Sequence, residues 1–97
     1  MWYLLLSHRD LPPVDDVSRD KAREGHFAFL RTQHNAGKVL FSGPTADRSM
    51  GIYVIKADPH DDAVAITDED PLHTYKARRP EVVDWDVHQI MRAGFAE

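Results

Sequence analysis

The segment Gly51-Ile52-Tyr53-Val54-Ile55-Lys56-Ala57 is the clearest β-strand in this chain of 97 residues. It is rich in β-branched and aromatic residues, which fit the pleated and half-buried surface of a sheet. A polar turn from Thr45 to Met50 precedes it, and Asp58-Pro59 turns the chain after it. The segment therefore predicts a strand that is bounded by two turns.

Three other segments have the character of strands. The apolar run from Trp2 to Ser7 and the segment Lys38 to Ser42 lie before the clearest strand, and Gly43-Pro44 ends or bends the second of these. The segment Glu81 to Met91 alternates in part between apolar and polar residues, which predicts a final strand. We expect a loose tail after Arg92.

One long segment predicts the main helix. It runs from about Val17 to Ala36 and carries apolar residues at steps of three and four, after a cap at Asp15 or Asp16. Gly37 supplies the left-handed conformation that ends many helices. Gly25 lies in the helix interior, where glycine costs about 1 kcal/mol against alanine, so it is expected to mark a place where another backbone comes close.

A shorter second helix is predicted from His60 to Thr67, with Asp58 as a possible cap. Asp68-Glu69-Asp70-Pro71 ends it, because proline disfavours helix in the residue before it. Leu72 to Arg79 then connects to the last strand, with room for one helical turn. The resulting order βαββαβ predicts a single α+β domain over residues 1–97. This is the ferredoxin-like arrangement, in which both helices cover one face of a four-stranded antiparallel sheet.

The opposite face of that sheet is expected to be apolar and open. An exposed apolar area of this size is a liability in a monomer, and a chain this short hides only about 60 to 65 % of its unfolded surface. We therefore expect a homodimer in which two sheets pack face to face. The open face is expected to carry some of the residues Trp2, Leu4, Leu6, Tyr53, Ile55 and Trp85.

Composition excludes several kinds of site and partner. The chain has no cysteine, which excludes disulfides, thiolate chemistry, Cys-type zinc sites and iron–sulfur clusters. The formal net charge is −4 and the longest basic run is Arg78-Arg79, whereas nucleic-acid binding depends on many Lys and Arg contacts to phosphate. The apolar start is shorter than a signal peptide, which needs about 7 apolar residues or more, or a membrane span of about 20. We expect a cytoplasmic protein that binds neither nucleic acid nor membranes.

Four stretches together resemble the YCII-related family, in an order and spacing that cover the chain from Trp2 to about Met91. The resemblance implies a dimeric α/β barrel of two ferredoxin-like units, with a cleft between sheet and helices. It also implies a relation to muconolactone isomerase-like proteins and to dehydrochlorinases of chlorinated aromatic compounds. This sequence departs from the family pattern in two places: Phe27 replaces the usual leucine, and the turn Asp47-Arg48-Ser49 is short. The matching stretches are 26-HFAFL-30, 36-AGKVLFSGP-44, 51-GIYVI-55 and 68-DEDP-71.

The resemblance further implies a catalytic His–Asp pair, which falls here on His26 and Asp70. A neutral imidazole is able to take a proton near pH 7, because its ordinary pKa is about 6.5. A buried carboxylate beside it fixes the ring tautomer and stabilises the imidazolium. The alternative interpretations are a helix histidine bonded to a nearby carbonyl and an Asp-Pro turn. Asp68 is a rival partner for the histidine.

Five further residues are predicted to contact substrate. Gly43 lets a ligand approach the backbone, and Ser42 is able to donate a hydrogen bond to an oxyanion. Arg23 is a candidate for holding a carboxylate, as are His8 and Arg9. Turn formation and solvated surface charge are the competing interpretations. The predicted substrate-binding residues are Ser42, Gly43, Pro44, Arg23 and His73.

The predicted function is that of a small cofactor-independent lyase or isomerase acting on an oxidised aromatic metabolite, with His26 as general base or acid and Asp70 orienting it. The six histidines lack the paired spacing of a metal site, so neither a metal nor an organic cofactor is predicted. One alternative is a noncatalytic metabolite-binding or accessory module that uses the same cleft. Another is a structural dimer whose cleft is filled by its own side chains. A monooxygenase on the same fold has no specific support in the sequence.

Overall fold

The computed structural model describes residues 1–90 and 94–95 of the chain. Its main sheet contains the strands β1 (Trp2–His8), β2 (Val39–Pro44), β3 (Met50–Lys56) and β4 (Arg79–Trp85). These four strands are antiparallel and lie in the order β2-β3-β1-β4. The short strands β5 (Gln89–Ile90) and β6 (Gly94–Phe95) pair with each other. The predicted α+β, ferredoxin-like class is confirmed.

Three helices are present in the described part of the chain: α1 (Asp16–Asn35), α2 (His60–Asp68) and α3 (Pro71–Thr74). Asp15 caps α1 by accepting a hydrogen bond from the backbone nitrogen of Ser18 at 3.2 Å. Gly37 follows α1 with a positive φ of 73°, as its place after the helix predicts. The predicted cap at Asp58 is wrong, because α2 has Pro59 at its N-cap and no side-chain hydrogen bond there.

The hydrophobic core lies between the helices and one face of the sheet. Tyr3 and Leu5 of β1 pair with Ile55 and Tyr53 of β3, and all four side chains are buried. Phe29 of α1 belongs to the same cluster. Because residues that face each other across antiparallel strands point to the same side, the register places Tyr53 and Ile55 on the helix side. Of the six residues considered for the open face, these two therefore belong to the core.

The open face of the sheet carries the alternate residues of β1 and β4. Trp2 lies opposite Trp85, and Leu4 lies opposite Val83. The side chains of Trp85 and Val83 remain 42 % and 36 % exposed. The predicted apolar open face is thus present, and Val83 adds to it a residue that was not in the predicted set.

The last strand of the main sheet begins earlier and ends earlier than predicted. It stops at Trp85, because β1 is its partner and the first paired residue of β1, Trp2, lies opposite Trp85. Beyond that point β1 has no further paired residue for β4 in the described part of the chain, and the chain turns with a hydrogen bond from Val87 N to the Trp85 carbonyl. Met91 and most of the tail predicted to be loose lie outside the described residues. Within the described residues, no helix combines the length and the apolar character that crossing a membrane requires.

Candidate functional site

A cavity of about 810 Å³ lies between α1 and the sheet, with the ends of β1 and β2 in its wall. Four of the predicted substrate-binding residues line it: Arg23 on α1, and Ser42, Gly43 and Pro44 at the end of β2. His26 lines it as well. The topology therefore brings the end of β2 and the middle of α1 to the same space.

His26 and Asp70 are in direct contact at this cavity. Nδ1 of His26 lies 2.9 Å from both carboxylate oxygens of Asp70. The carboxylate is fully buried, whereas the histidine side chain is 17 % exposed. Asp68, the rival acid, is exposed and makes no contact of this kind. A carboxylate only accepts hydrogen bonds, so the geometry assigns the proton to Nδ1 and leaves Nε2 as the free nitrogen of the neutral ring.

Asp70 is held by two more hydrogen bonds. The backbone nitrogen of Leu72 donates to Oδ1 at 3.0 Å, since Asp70 is the N-cap of α3. The Tyr53 hydroxyl donates to Oδ2 at 3.0 Å. Burial, followed by the charge of Asp70, raises the pKa of Tyr53 well above its ordinary value, so this hydroxyl keeps its proton and remains a donor. Both carboxylate oxygens are thus satisfied, as a buried charge requires.

A second pair joins the buried Ser7 to the partly buried His73. Ser7 lines the cavity and is 3 % exposed. Its Oγ lies 3.0 Å from Nε2 of His73, and Nδ1 of His73 lies 2.7 Å from the Thr67 carbonyl oxygen. Because that carbonyl only accepts, Nδ1 carries the proton, and the neutral ring accepts the Ser7 hydroxyl proton at Nε2. His73 thus lies behind Ser7 and is not one of the residues that line the cavity.

Arginine side chains dominate the charge of the cavity wall. Arg9 and Arg78 lie near each other, and burial together with the charge of Arg9 lowers the pKa of Arg78. Arg23 lies over the Phe27 ring at 5.8 Å from its centroid. Among the residues that the structure describes, no aspartate or glutamate lines this cavity. The arginines that line it are Arg9, Arg19, Arg23, Arg48 and Arg78.

Other histidines pair with acids away from the cavity. Nε2 of His8 lies 2.7 Å from Glu81, and Nδ1 of His60 lies 2.6 Å from Asp84. In the described part of the chain, His, Asp and Glu side chains do not form a group of three or more that is able to hold a metal ion. His8 was a candidate for holding a substrate carboxylate. Its position outside the cavity wall does not support that role.

Sequence reasoning missed Ser7, Arg48 and Arg78 as residues of this site, and it did not predict the hydrogen bond from the Tyr53 hydroxyl to Asp70. A signal existed for Ser7 and Tyr53. Ser7 lies two residues after Leu5 and four after Tyr3, so its polar side chain points to the same side of the strand as these buried residues. For Tyr53, the signal is that a buried tyrosine hydroxyl needs a hydrogen-bond partner. The two arginines carry no local signal, because their position depends on how turns and strand ends meet.

Comparisons with known proteins identify relatives of the chain. The profile of the YCII-related domain matches residues 1–86. A solved structure similar to this one is 5-chloro-2-hydroxyhydroquinone dehydrochlorinase from Burkholderia phenoliruptrix AC1100, in complex with 2,5-dihydroxybenzoquinone. The TM-score is 0.63 at 18 % sequence identity, and the match covers 88 % of this chain and 94 % of that one. A search among curated proteins gives no match. At this identity the structural likeness establishes a shared fold.

Proposed function

The chain belongs to the YCII-related domain family, and on that premise we propose that it is a small lyase or isomerase acting on an oxidised aromatic metabolite. The observation that carries the proposal is the contact between His26, which lines the cavity, and the buried Asp70. A base held by a buried acid beside an accessible space is the arrangement that proton-transfer chemistry needs.

In this proposal His26 exchanges protons with the substrate through Nε2. Asp70 keeps the ring in the tautomer with the proton on Nδ1 and stabilises the imidazolium that forms during the reaction. Tyr53 positions Asp70 and does not touch the substrate through its hydroxyl. Arg23 lies three residues before His26, on the same side of α1, and is placed to hold a phenolate or enolate oxygen.

Loss of HCl from a chlorinated, hydroxylated ring illustrates the chemistry. First, a proton leaves a ring hydroxyl and a proton is added to the carbon that carries chlorine, which gives a keto tautomer. The base then removes a proton from a second hydroxyl conjugated with that carbon. The O–H electron pair becomes part of a new carbonyl bond, and the displaced ring electrons expel chloride. The electron pair leaves with chloride, so the reaction balances as quinone plus HCl without an external oxidant.

The dehydrochlorinase of the same fold supports a substrate of this class. Its name gives a chlorinated hydroxyhydroquinone as substrate, and its complex contains 2,5-dihydroxybenzoquinone. Both are flat, oxygenated six-membered rings. A cavity with apolar side chains such as Phe27 and Leu30 beside arginines suits such a ring, since the faces are apolar and the oxygens are polar or charged.

The test is to assay chlorinated hydroxyhydroquinones with wild-type protein and with His26→Ala, following chloride release and quinone absorbance. We expect turnover by the wild-type protein and a loss of about 100-fold or more in kcat for His26→Ala, because general base catalysis contributes about 10² to 10⁴. The matched control is His60→Ala, which removes a histidine from an exposed His–Asp pair outside the cavity. Full turnover in His26→Ala removes His26 from the mechanism.

The alternative is a noncatalytic module that binds a metabolite in the same cavity. The arginine-rich wall favours it, because binding of an anionic ring does not require the histidine to move a proton. Thermal-shift screening separates the two functions. Compounds that raise the melting temperature and are recovered unchanged favour binding, whereas release of chloride or rearrangement of the ring favours catalysis.

We also propose that the active form is a homodimer in which open sheet faces pack together. The support is the apolar surface formed by Trp2, Leu4, Val83 and Trp85 on adjacent strands. Sedimentation of the wild-type protein should give a dimer, and Val83→Lys should shift it to a monomer. Val17→Lys is the control, because Val17 is an exposed apolar residue on α1. A wild-type monomer contradicts this part of the proposal.

A further inference from the structure

The charge of the cavity wall differs from the charge of the whole chain. The chain has a formal net charge of −4, whereas its cavity is lined by arginines and, within the described residues, by no carboxylate. Arg19 is compensated, since it pairs with Asp16 at 3.4 Å and with Asp20 at 3.8 Å. The other lining arginines, Arg9, Arg23, Arg48 and Arg78, have no carboxylate within salt-bridge distance in the described part of the chain.

Two neighbouring arginines make the contrast clear. Arg79 is neutralised by Asp10, through bonds of 3.1 and 3.0 Å from Nε and 2.7 Å from Nη2. Arg78 is partly buried and lines the cavity together with Arg9. The two residues lie near each other because His8 pairs with Arg79, and Arg9 and Arg78 are the next residues beyond this pair. Arg9 is exposed. Two guanidinium groups that are close together repel each other, more strongly where one of them is partly removed from water, and an anion placed between them removes that cost.

The uncompensated arginines approach the cavity from different elements. Arg9 follows the end of β1 and Arg78 precedes β4, so both belong to the side of the cavity formed by that end of the sheet. Arg23 comes from α1, one turn before His26. Arg48 comes from the turn between β2 and β3, where its φ is 64°. A ligand with a single anionic oxygen does not match cations on three sides.

We propose that the cavity binds a ring compound that carries two negative charges, with Arg9 and Arg78 holding a carboxylate or phosphate substituent and Arg23 facing the oxygen at the reacting end. The volume of about 810 Å³ allows this, as ligand pockets span roughly 300–1,000 Å³. The inference rests on the same cavity as the proposed function and specifies its substrate class. It concerns binding alone, so it is testable without turnover.

The experiment measures binding of three probes by titration calorimetry: benzoate with one charge, terephthalate with two carboxylates, and phenyl phosphate with a phosphate. We expect terephthalate or phenyl phosphate to bind at least ten-fold more tightly than benzoate at low salt, and the one that binds more tightly identifies the anionic group. The advantage should shrink as ionic strength rises, because these contacts are between charges near solvent.

Variants assign the effect to the arginines. Arg78→Gln and Arg9→Gln should each reduce the preference for the doubly charged probe to less than three-fold. Arg31→Gln is the matched control, because Arg31 is an exposed arginine on α1 outside the cavity wall and should keep the wild-type preference. Equal binding of all probes, no binding of any, or an unchanged preference in Arg78→Gln overturns the inference.

The same titrations in His26→Ala separate this inference from the proposed function. A preserved preference in His26→Ala supports the binding site whether or not the protein turns over any substrate. Conversely, chloride release by the wild-type protein from an uncharged ring, with no preference for charged probes, supports the proposed function and contradicts the dianion site.

Discussion

Gly25 and Pro71 touch so closely that no side chain fits at the glycine. A Cβ atom on Gly25 would lie 2.8 Å from Cγ and 3.1 Å from Cβ of Pro71, and distances below 3 Å are not tolerated between packed carbon atoms. Each residue is the neighbour of a member of the His26–Asp70 pair. The close approach of α1 and α3 at this point is therefore what brings the imidazole to the carboxylate.

Gly25→Ala should destabilise the protein, although alanine is the better helix former. The helical gain of about 1 kcal/mol is outweighed by overpacking against a rigid proline ring, which typically costs about 1–3 kcal/mol, and the contact at His26 should lengthen as well. Urea unfolding measures the loss. Pro71→Ala removes the closest atom, so the double variant should recover part of it.

Gly43→Ala is the control for that experiment, because a Cβ atom on Gly43 meets nothing within 4 Å. Its free energy of unfolding should stay near the wild-type value. If Gly25→Ala is as stable as the wild-type protein, the close contact between α1 and α3 is not the reason for a glycine in this helix.

Tyr53→Phe tests the support of the buried acid. The variant keeps the packing of the ring but removes the hydrogen bond to Asp70, so one carboxylate oxygen loses a donor in a site without solvent. Leaving a buried acceptor short of a partner costs about 1–3 kcal/mol, and urea unfolding at pH 7 should show a loss of that size. Tyr3→Phe is the matched control, since the hydroxyl of this buried tyrosine has no hydrogen-bond partner in the described part of the chain.

Much of the fold follows from local patterns in the sequence. The apolar run in β1 and the three- and four-residue steps in α1 identify those elements, and Asp15 and Gly37 mark the helix ends. The family resemblance then implies His26 and Asp70 as a pair, and they are in contact. These features depend on short-range periodicity or on a matching motif.

The rest depends on register and on contacts between distant parts of the chain. The face on which Tyr53 lies was not predictable from the sequence, because a strand of apolar residues on both sides does not reveal which side meets the helices. Ser7 and His73 are 66 residues apart, and nothing in either local sequence indicates their hydrogen bond. Such pairs become visible only when the strand order is known.

The hydrogen bonds of Asp47 predict a specific pH dependence of the free energy of unfolding. Hydrogen bonds from the Ser49 backbone nitrogen and hydroxyl and from the Thr45 hydroxyl lower the pKa of Asp47 to about 2. Since the pKa in the folded state lies below the ordinary value of 3.8, the ionised carboxylate stabilises the turn above about pH 4. That contribution is lost as the pH falls through about 2. The same turn holds Arg48 at the cavity.

Asp47→Asn should therefore flatten the pH dependence of unfolding between pH 4 and pH 2, because the amide does not titrate. Urea midpoints measured from pH 2 to pH 6 give the slope for each variant. Asp68→Asn is the control, since Asp68 is exposed and its side chain makes no hydrogen bond within the described residues. A slope for Asp47→Asn identical to that of the wild-type protein contradicts the assignment.

The Ser7–His73 pair should show strong energetic coupling. His73→Phe leaves the buried Ser7 hydroxyl without its partner, and such a loss costs about 1–3 kcal/mol. The Thr67 carbonyl loses the His73 ring but still accepts a hydrogen bond from the Asp70 backbone nitrogen at 3.2 Å. Ser7→Ala removes one end of the chain of hydrogen bonds, so the double variant should be more stable than the sum of the single effects predicts. A double-mutant cycle from urea unfolding should give a coupling of about 0.5–3 kcal/mol, as residues of one network do.

The exposed His60–Asp84 pair is the comparison, and its coupling should not exceed about 1 kcal/mol, because water screens surface ion pairs. Equal coupling in the two pairs would mean that the Ser7 hydroxyl is bonded to water or to a ligand rather than to His73.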